Sequence, residues 1–182
     1  MDSYGEDLVA QVTRFLADQR ADEAAAARTR EHWLRQMASE DGTFAGALLD
    51  LAEQRRAVVV ATTTGRRHRG AVRAVGLDFC VVAGARGQVL VARRAVTSVR
   101  AETGPGPAVP SGDRTVAVGA ELVTTLAGLA ADRPRAMVVT LAGEVLAGEL
   151  RSVNIDSLSL RLDGDGAVAL VPADAIAEFS LP

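Results

Sequence analysis

Lysine is absent from this chain, and all 20 basic residues are arginine. A guanidinium fork suits bidentate phosphate or carboxylate contacts, but the accompanying wealth of Ala, Gly and Val is what a GC-rich gene encodes, so composition assigns no ligand. A single cysteine, Cys80, excludes an internal disulfide, and no Cys/His spacing fits a zinc site. Aromatic residues make up only 3% of the sequence, which leaves few rings for nucleobases to stack on. No stretch approaches the roughly 20 apolar residues of a membrane span. The opening MDSYGEDLVAQ starts with acids where a secretory leader would carry basic residues. The expectation is a soluble, cytoplasmic protein without membrane span, structural metal or cofactor.

What the chain does have is an internal repeat, which fixes architecture before any local pattern does. A shift of 78 positions lays Leu48, Leu51, Ala52 and Arg55 on Leu126, Leu129, Ala130 and Arg133. It also lays Val60, Thr62, Gly65, Gly70, Arg73, Val75 and Asp78 on Val138, Thr140, Gly143, Gly148, Arg151, Val153 and Asp156. After a loop two residues longer in the second copy, Val89 to Val99 matches Ala169 to Phe179.

Each copy opens with apolar residues at helical spacing. These are Phe44, Leu48 and Leu51 behind a Thr43 cap, and Leu122, Leu126 and Leu129 behind Gly119. The period then falls to two, with turn glycines between short apolar runs, which predicts five strands per copy. A sheet so short buries its apolar face by curling, so the expected fold is mainly β with α: two tandem helix-plus-five-stranded small barrels. The expected divisions are a helical segment over 1–42, a first barrel over 43–101, a Pro/Gly-rich linker over 102–118 and a second barrel over 119–182. Leu8, Val12, Phe15 and Leu16 form one amphipathic stripe ahead of the repeat, and Trp33, Leu34 and Met37 form another, read as packing or a dimer seam.

The two copies resemble the Sm-like small-barrel superfamily and the C-terminal barrel of ribosome maturation factors. The resemblance is carried by LLDLAEQRRAVVVATTTGRRHRGAVRAVGLDFCVV and by VVTLAGEVLAGELRSVNIDSLSL, each with two glycines five apart around a sharp second strand. It implies barrels that pair edge to edge through their late strands. The sequence departs from the RNA-binding members at the turn after the second strand, where Gly76 and Cys80 stand in one copy and Asn154 and Leu158 in the other. The Arg-Gly pair of the second Sm motif is also missing, replaced by Ala92-Arg93-Arg94-Ala95 and Val171-Pro172-Ala173-Asp174.

The near-neutral total hides opposed halves. Residues 57–101 carry eight arginines against one acid, Asp78, whereas residues 135–182 carry three arginines against seven acids. Arg66, Arg67, His68, Arg69 and Arg73 on one predicted hairpin, with Arg93 and Arg94, suit phosphate contacts and define the candidate binding site for RNA or other nucleic acid. The same charges equally suit docking of the basic copy on an acidic segment, within the chain or across a homo-oligomer. No nucleophile has a base within its motif, His68 reads as a solvated turn residue, and Cys80 reads as a buried inert thiol, so the chain reads as a non-enzyme. Asp78 and Asp156 read as turn residues, and Asp163-Gly164-Asp165-Gly166 as a hairpin turn lacking the ligands of a calcium loop. Two functions follow: a non-catalytic Sm-like adaptor for nucleic acid, or a protein-interaction and self-assembly scaffold.

Overall fold

The computed structural model describes Arg20 and residues 23–34, 42–102 and 119–182. The chain divides into two compact units, Met1–Asp41 and Gly42–Pro182. In the first, residues 23–34 are helical and include Trp33 and Leu34. The stripe expected at Leu8 to Leu16, Met37 and most of the expected linker lie outside the described residues.

The second unit holds both repeats. Helix α1 (Phe44–Glu53) precedes strands β1 (Ala57–Thr62), β2 (Arg67–Val75), β3 (Phe79–Gly84), β4 (Gly87–Ala92) and β5 (Val96–Ala101). Helix α2 (Leu122–Ala130) precedes β6 (Arg135–Thr140), β7 (Val145–Val153), β8 (Ser157–Leu162), β9 (Val168–Pro172) and β10 (Ile176–Ser180). The Val89 to Val99 run and its counterpart are each broken by one 3₁₀ turn, Arg93–Ala95 and Ala173–Ala175. The predicted Thr43 cap is present, its Oγ1 accepting from Gly46 N at 3.0 Å. The second helix starts later than Gly119 suggested: its N-cap is Glu121, whose side chain does not cap. Asp78 of the first repeat supplies the missing acceptor, its Oδ1 taking the Leu122 N–H at 2.7 Å.

All ten strands form one antiparallel sheet in the order β5-β1-β2-β3-β4-β10-β6-β7-β8-β9. The fold is therefore mainly β with α. Strand pairing closes neither set of five on itself, because β4 pairs with β10 of the other repeat rather than with β5. Within each set the order and register repeat: Ala57 faces Ala71 as Arg135 faces Glu149. The register slips at Val72/Ala74 in β2 and at Leu150/Ser152 in β7, and such bulges bend strands and tighten their twist.

The glycines five apart serve two purposes. Gly65 and Gly143 have φ of +78° and +88°, the left-handed turn conformation. Gly70 and Gly148 face the neighbouring strand so closely that a Cβ would overlap the carbonyl oxygens of Ala83 and Arg161.

The first core joins Leu48, Leu51, Val58, Val60, Val72, Val75 and Cys80. The second joins Leu126, Val138, Leu150, Leu160 and Phe179, and it also takes in Phe79, Ala92 and Ala95 from the first repeat. The two repeats thus share a hydrophobic wall as well as a sheet.

Candidate functional site: the seam between the repeats

The β4 to β10 junction sets Glu178 opposite Val91, Phe179 opposite Leu90 and Ser180 opposite Val89. Glu178 lies between the buried Ala177 and Phe179 and is itself only 2% exposed. An unpaired carboxylate at that depth would be strongly unfavourable, so its partners decide whether the seam forms. The first repeat supplies four. The Thr62 and Thr64 hydroxyls donate to Oε1 at 2.8 and 3.1 Å. Arg66 Nε and His68 Nε2 each lie 3.0 Å from Oε2. Burial pushes the Glu178 pKa up, but the His68 contact and the two hydroxyls outweigh it and hold the carboxyl below the ordinary glutamate range.

A second clamp lies nearby, where Arg94 Nη2 donates to the carbonyls of Ala173 and Ile176. These bonds satisfy backbone groups at the 3₁₀ turn that leads into β10.

Of the seven predicted binding residues, Arg66, His68 and Arg94 are therefore engaged by the second repeat. His68 is not a solvated turn residue: it lies within β2 with its side chain 17% exposed. Arg69 pairs with Glu102 at 3.6 Å on the surface. Arg67 and Arg73 are exposed and make no ion pair among the described residues, and Arg93 is partly buried near Cys80. Beside the seam, Arg66, Arg67, Arg69 and Arg86 line an open cavity of about 800 Å³ with Met137 and Glu178. Arg86, Met137 and Glu178 were missed from sequence. The available signal was the offset of 80, which pairs Glu178 with the uncharged Ser98 and so marks a carboxylate found in one repeat only.

Cys80 is fully buried, and burial pushes its thiol up to about 12 despite the nearby Arg93 charge. The folded protein is expected to leave a thiol reagent unreacted at about pH 8 and to react promptly once unfolded in denaturant, as absorbance of the released chromophore would show. Fast reaction of the native protein would mean that β3 opens. Asp163 to Gly166 forms the β8 to β9 turn: Asp165 Oδ1 accepts from Ala167 N at 2.9 Å, and Asp163 pairs with Arg135 at 2.8 Å. No group of three or more metal-ligating side chains occurs among the described residues, and no helix among them is long and apolar enough to cross a membrane.

The chain matches no protein-family model and no curated protein sequence.

Proposed function

We propose that the protein is a non-catalytic scaffold of two Sm-like small barrels, and that copies of it assemble edge to edge. One observation carries this reading: residues covered at the internal seam have exposed counterparts at the two free ends. Leu122, at the start of α2, is 2% exposed where it meets the Leu77 and Asp78 turn, whereas its counterpart Phe44 is 47% exposed. Leu90 packs in the seam, whereas its counterpart Leu170 on the outer strand β9 is 69% exposed. Ile155 is 94% exposed against 43% for its counterpart Leu77, and beside it Asp156 stands where Asp78 caps the neighbouring helix. Among the described residues, strands β5 and β9 each have a strand neighbour on one side only, which favours a further strand pairing. One copy's β9 meeting another's β5 would repeat the geometry of the seam, a head-to-tail contact that either closes into a ring or extends.

Light scattering on the full chain tests this. The wild-type mass is expected to exceed that of one chain. Leu170→Asp, which places a charge in the contact, should weaken association at least tenfold, on the order of 1.4 kcal/mol, without changing the circular dichroism spectrum. A single-chain mass at every concentration would overturn the proposal.

A second reading rests on the arginines outside the seam. Among the described residues, Arg67, Arg73 and Arg86 make no ion pair, in a repeat where Arg66, His68 and Arg94 are engaged at the seam, and such guanidinium groups suit a polyanion such as RNA. A mobility shift at ~50 mM salt should show binding, and Arg67→Gln, Arg73→Gln and Arg86→Gln together should reduce the salt slope by about one for each phosphate no longer neutralised. No shift at low salt would remove this reading.

A further inference from the structure

The two ends of the sheet are not equivalent copies of the seam, and the difference lies in side chains that face the junction. On the seam, β10 brings Glu178 to a receiver made of Thr62, Thr64, Arg66 and His68. The repeat offset places Ser98 at the Glu178 position of β5, and Thr140, Ala142, Glu144 and Leu146 at the receiver positions of the second repeat. Resting on the assembly proposed above, we infer that Glu178 and its receiver form a recognition key, and that the partner of the free β9 edge is the β5 edge of a second copy and no other strand of this chain.

The four pairings of a repeat's last strand, β5 or β10, with a fourth strand, β4 or β9, differ in what they do with charge. In β10 on β4, the observed one, the carboxylate meets two hydroxyls and two basic side chains. For β5 on β9, the neutral Ser98 would meet Thr140, Ala142, Glu144 and Leu146, its hydroxyl can donate to Glu144, and no second carboxylate is brought to the joint. In β10 on β9, Glu178 would come against Glu144 and Leu146, bringing together two carboxylates with no cation from the receiver. With β5 on β4, Arg66, His68 and the two threonines would lose their shared acceptor. Placing a buried charge against a like charge, or removing its partner, is strongly unfavourable, so the two mixed joints are refused.

The 3₁₀ turns follow the same rule. Arg94 of the first repeat reaches the Ala173 to Ala175 turn of the second. Its counterpart Asp174, which is exposed, would reach the Arg93-Arg94-Ala95 turn of the next copy, where acid meets base. In β10 on β9 the same Asp174 would instead meet another Asp174 turn. The expected register of the joint between copies places Ser98 opposite Val171, Val99 opposite Leu170 and Arg100 opposite Ala169, as Glu178, Phe179 and Ser180 face Val91, Leu90 and Val89 within the chain.

The test uses the full chain, and apart from Cys80→Ala, which exchanges a buried thiol for a smaller apolar group, the substitutions fall at exposed or half-exposed positions so that the fold is kept. In a Cys80→Ala background, Arg100→Cys with Ala169→Cys should give a covalent dimer under mild oxidation, since facing Cβ atoms lie within disulfide reach. Adding Ser98→Glu should lower the yield of that dimer, and the association constant by light scattering, at least tenfold. Grafting the receiver onto the second repeat with Ala142→Thr, Glu144→Arg and Leu146→His should restore both in the Ser98→Glu chain. If the parent assembles while Ser98→Glu changes neither readout, or the graft fails to restore them, the key is wrong and the assembly proposal stands. A parent chain that never assembles removes the assembly proposal and this inference with it.

Discussion

Replacing Gly148 with alanine is expected to destabilise the protein by about 3 kcal/mol, and Gly70→Ala by a similar amount, with the loss read from urea unfolding midpoints. The added methyl at Gly148 would overlap the Arg161 carbonyl oxygen across the β7 to β8 ladder, and at Gly70 the Ala83 oxygen across β2 to β3. Neither oxygen belongs to a mobile side chain. Relief would require the strands to part at Gly148, which faces Leu162 and precedes the bulge at Leu150. Gly143→Ala is the control. Its φ of +88° makes an L-residue strained, but nothing lies within 4 Å of the new atom, so the cost should stay near 1 kcal/mol. Equal losses at Gly143 and Gly148 would mean that close strand approach does not explain the second glycine.

Glu178→Ala carries the second large effect, a loss of about 2 to 4 kcal/mol by the same measurement. The carboxylate is buried, but Arg66 is 39% exposed and regains water when its partner goes, which holds the expected loss below that of a fully buried pair. Thr62 is buried and loses an acceptor that water replaces poorly. Glu178→Gln keeps the oxygen that the threonines use and should lose less. The pH dependence follows from the direction of the shift. Glu178 titrates lower when folded than its ordinary value of 4.5, so the unfolded chain binds the proton more readily. The contribution to stability is complete above that ordinary value and disappears as the pH falls through the folded value below it. Arg66 and His68 are the ionisable groups paired with Glu178 among the described residues. The acid limb of a stability against pH curve should therefore flatten in Glu178→Gln, and an unchanged limb would assign acid sensitivity to other carboxylates.

Much of the fold was legible because local chemistry and the repeat agree. The strand runs, the Thr43 cap and the spacing of Gly65 with Gly70 depend on near neighbours, and the runs and the glycine spacing recur at the offset of 78. Long-range partners were less visible. Asp78 looks like a turn residue but caps a helix 44 positions away. His68 sits among arginines in sequence, yet it faces an acid from the end of the chain because β10 is inserted beside β4. Sequence charge correctly opposed a basic and an acidic repeat. It could not say that Arg66, His68 and Arg94 meet the second repeat while Arg67 and Arg73 do not, since that follows from the pairing of β10 with β4, strands far apart in the chain.

The shared wall has a consequence for any attempt to divide the gene. Phe79, Ala92 and Ala95 are encoded in the first half but sit in the hydrophobic cluster of the second. A product ending after the first five strands would present that aromatic ring to water, and its complement would have a hole where the ring belongs. The two repeats are therefore expected to behave as a single cooperative body, melting in one transition rather than as beads on a string.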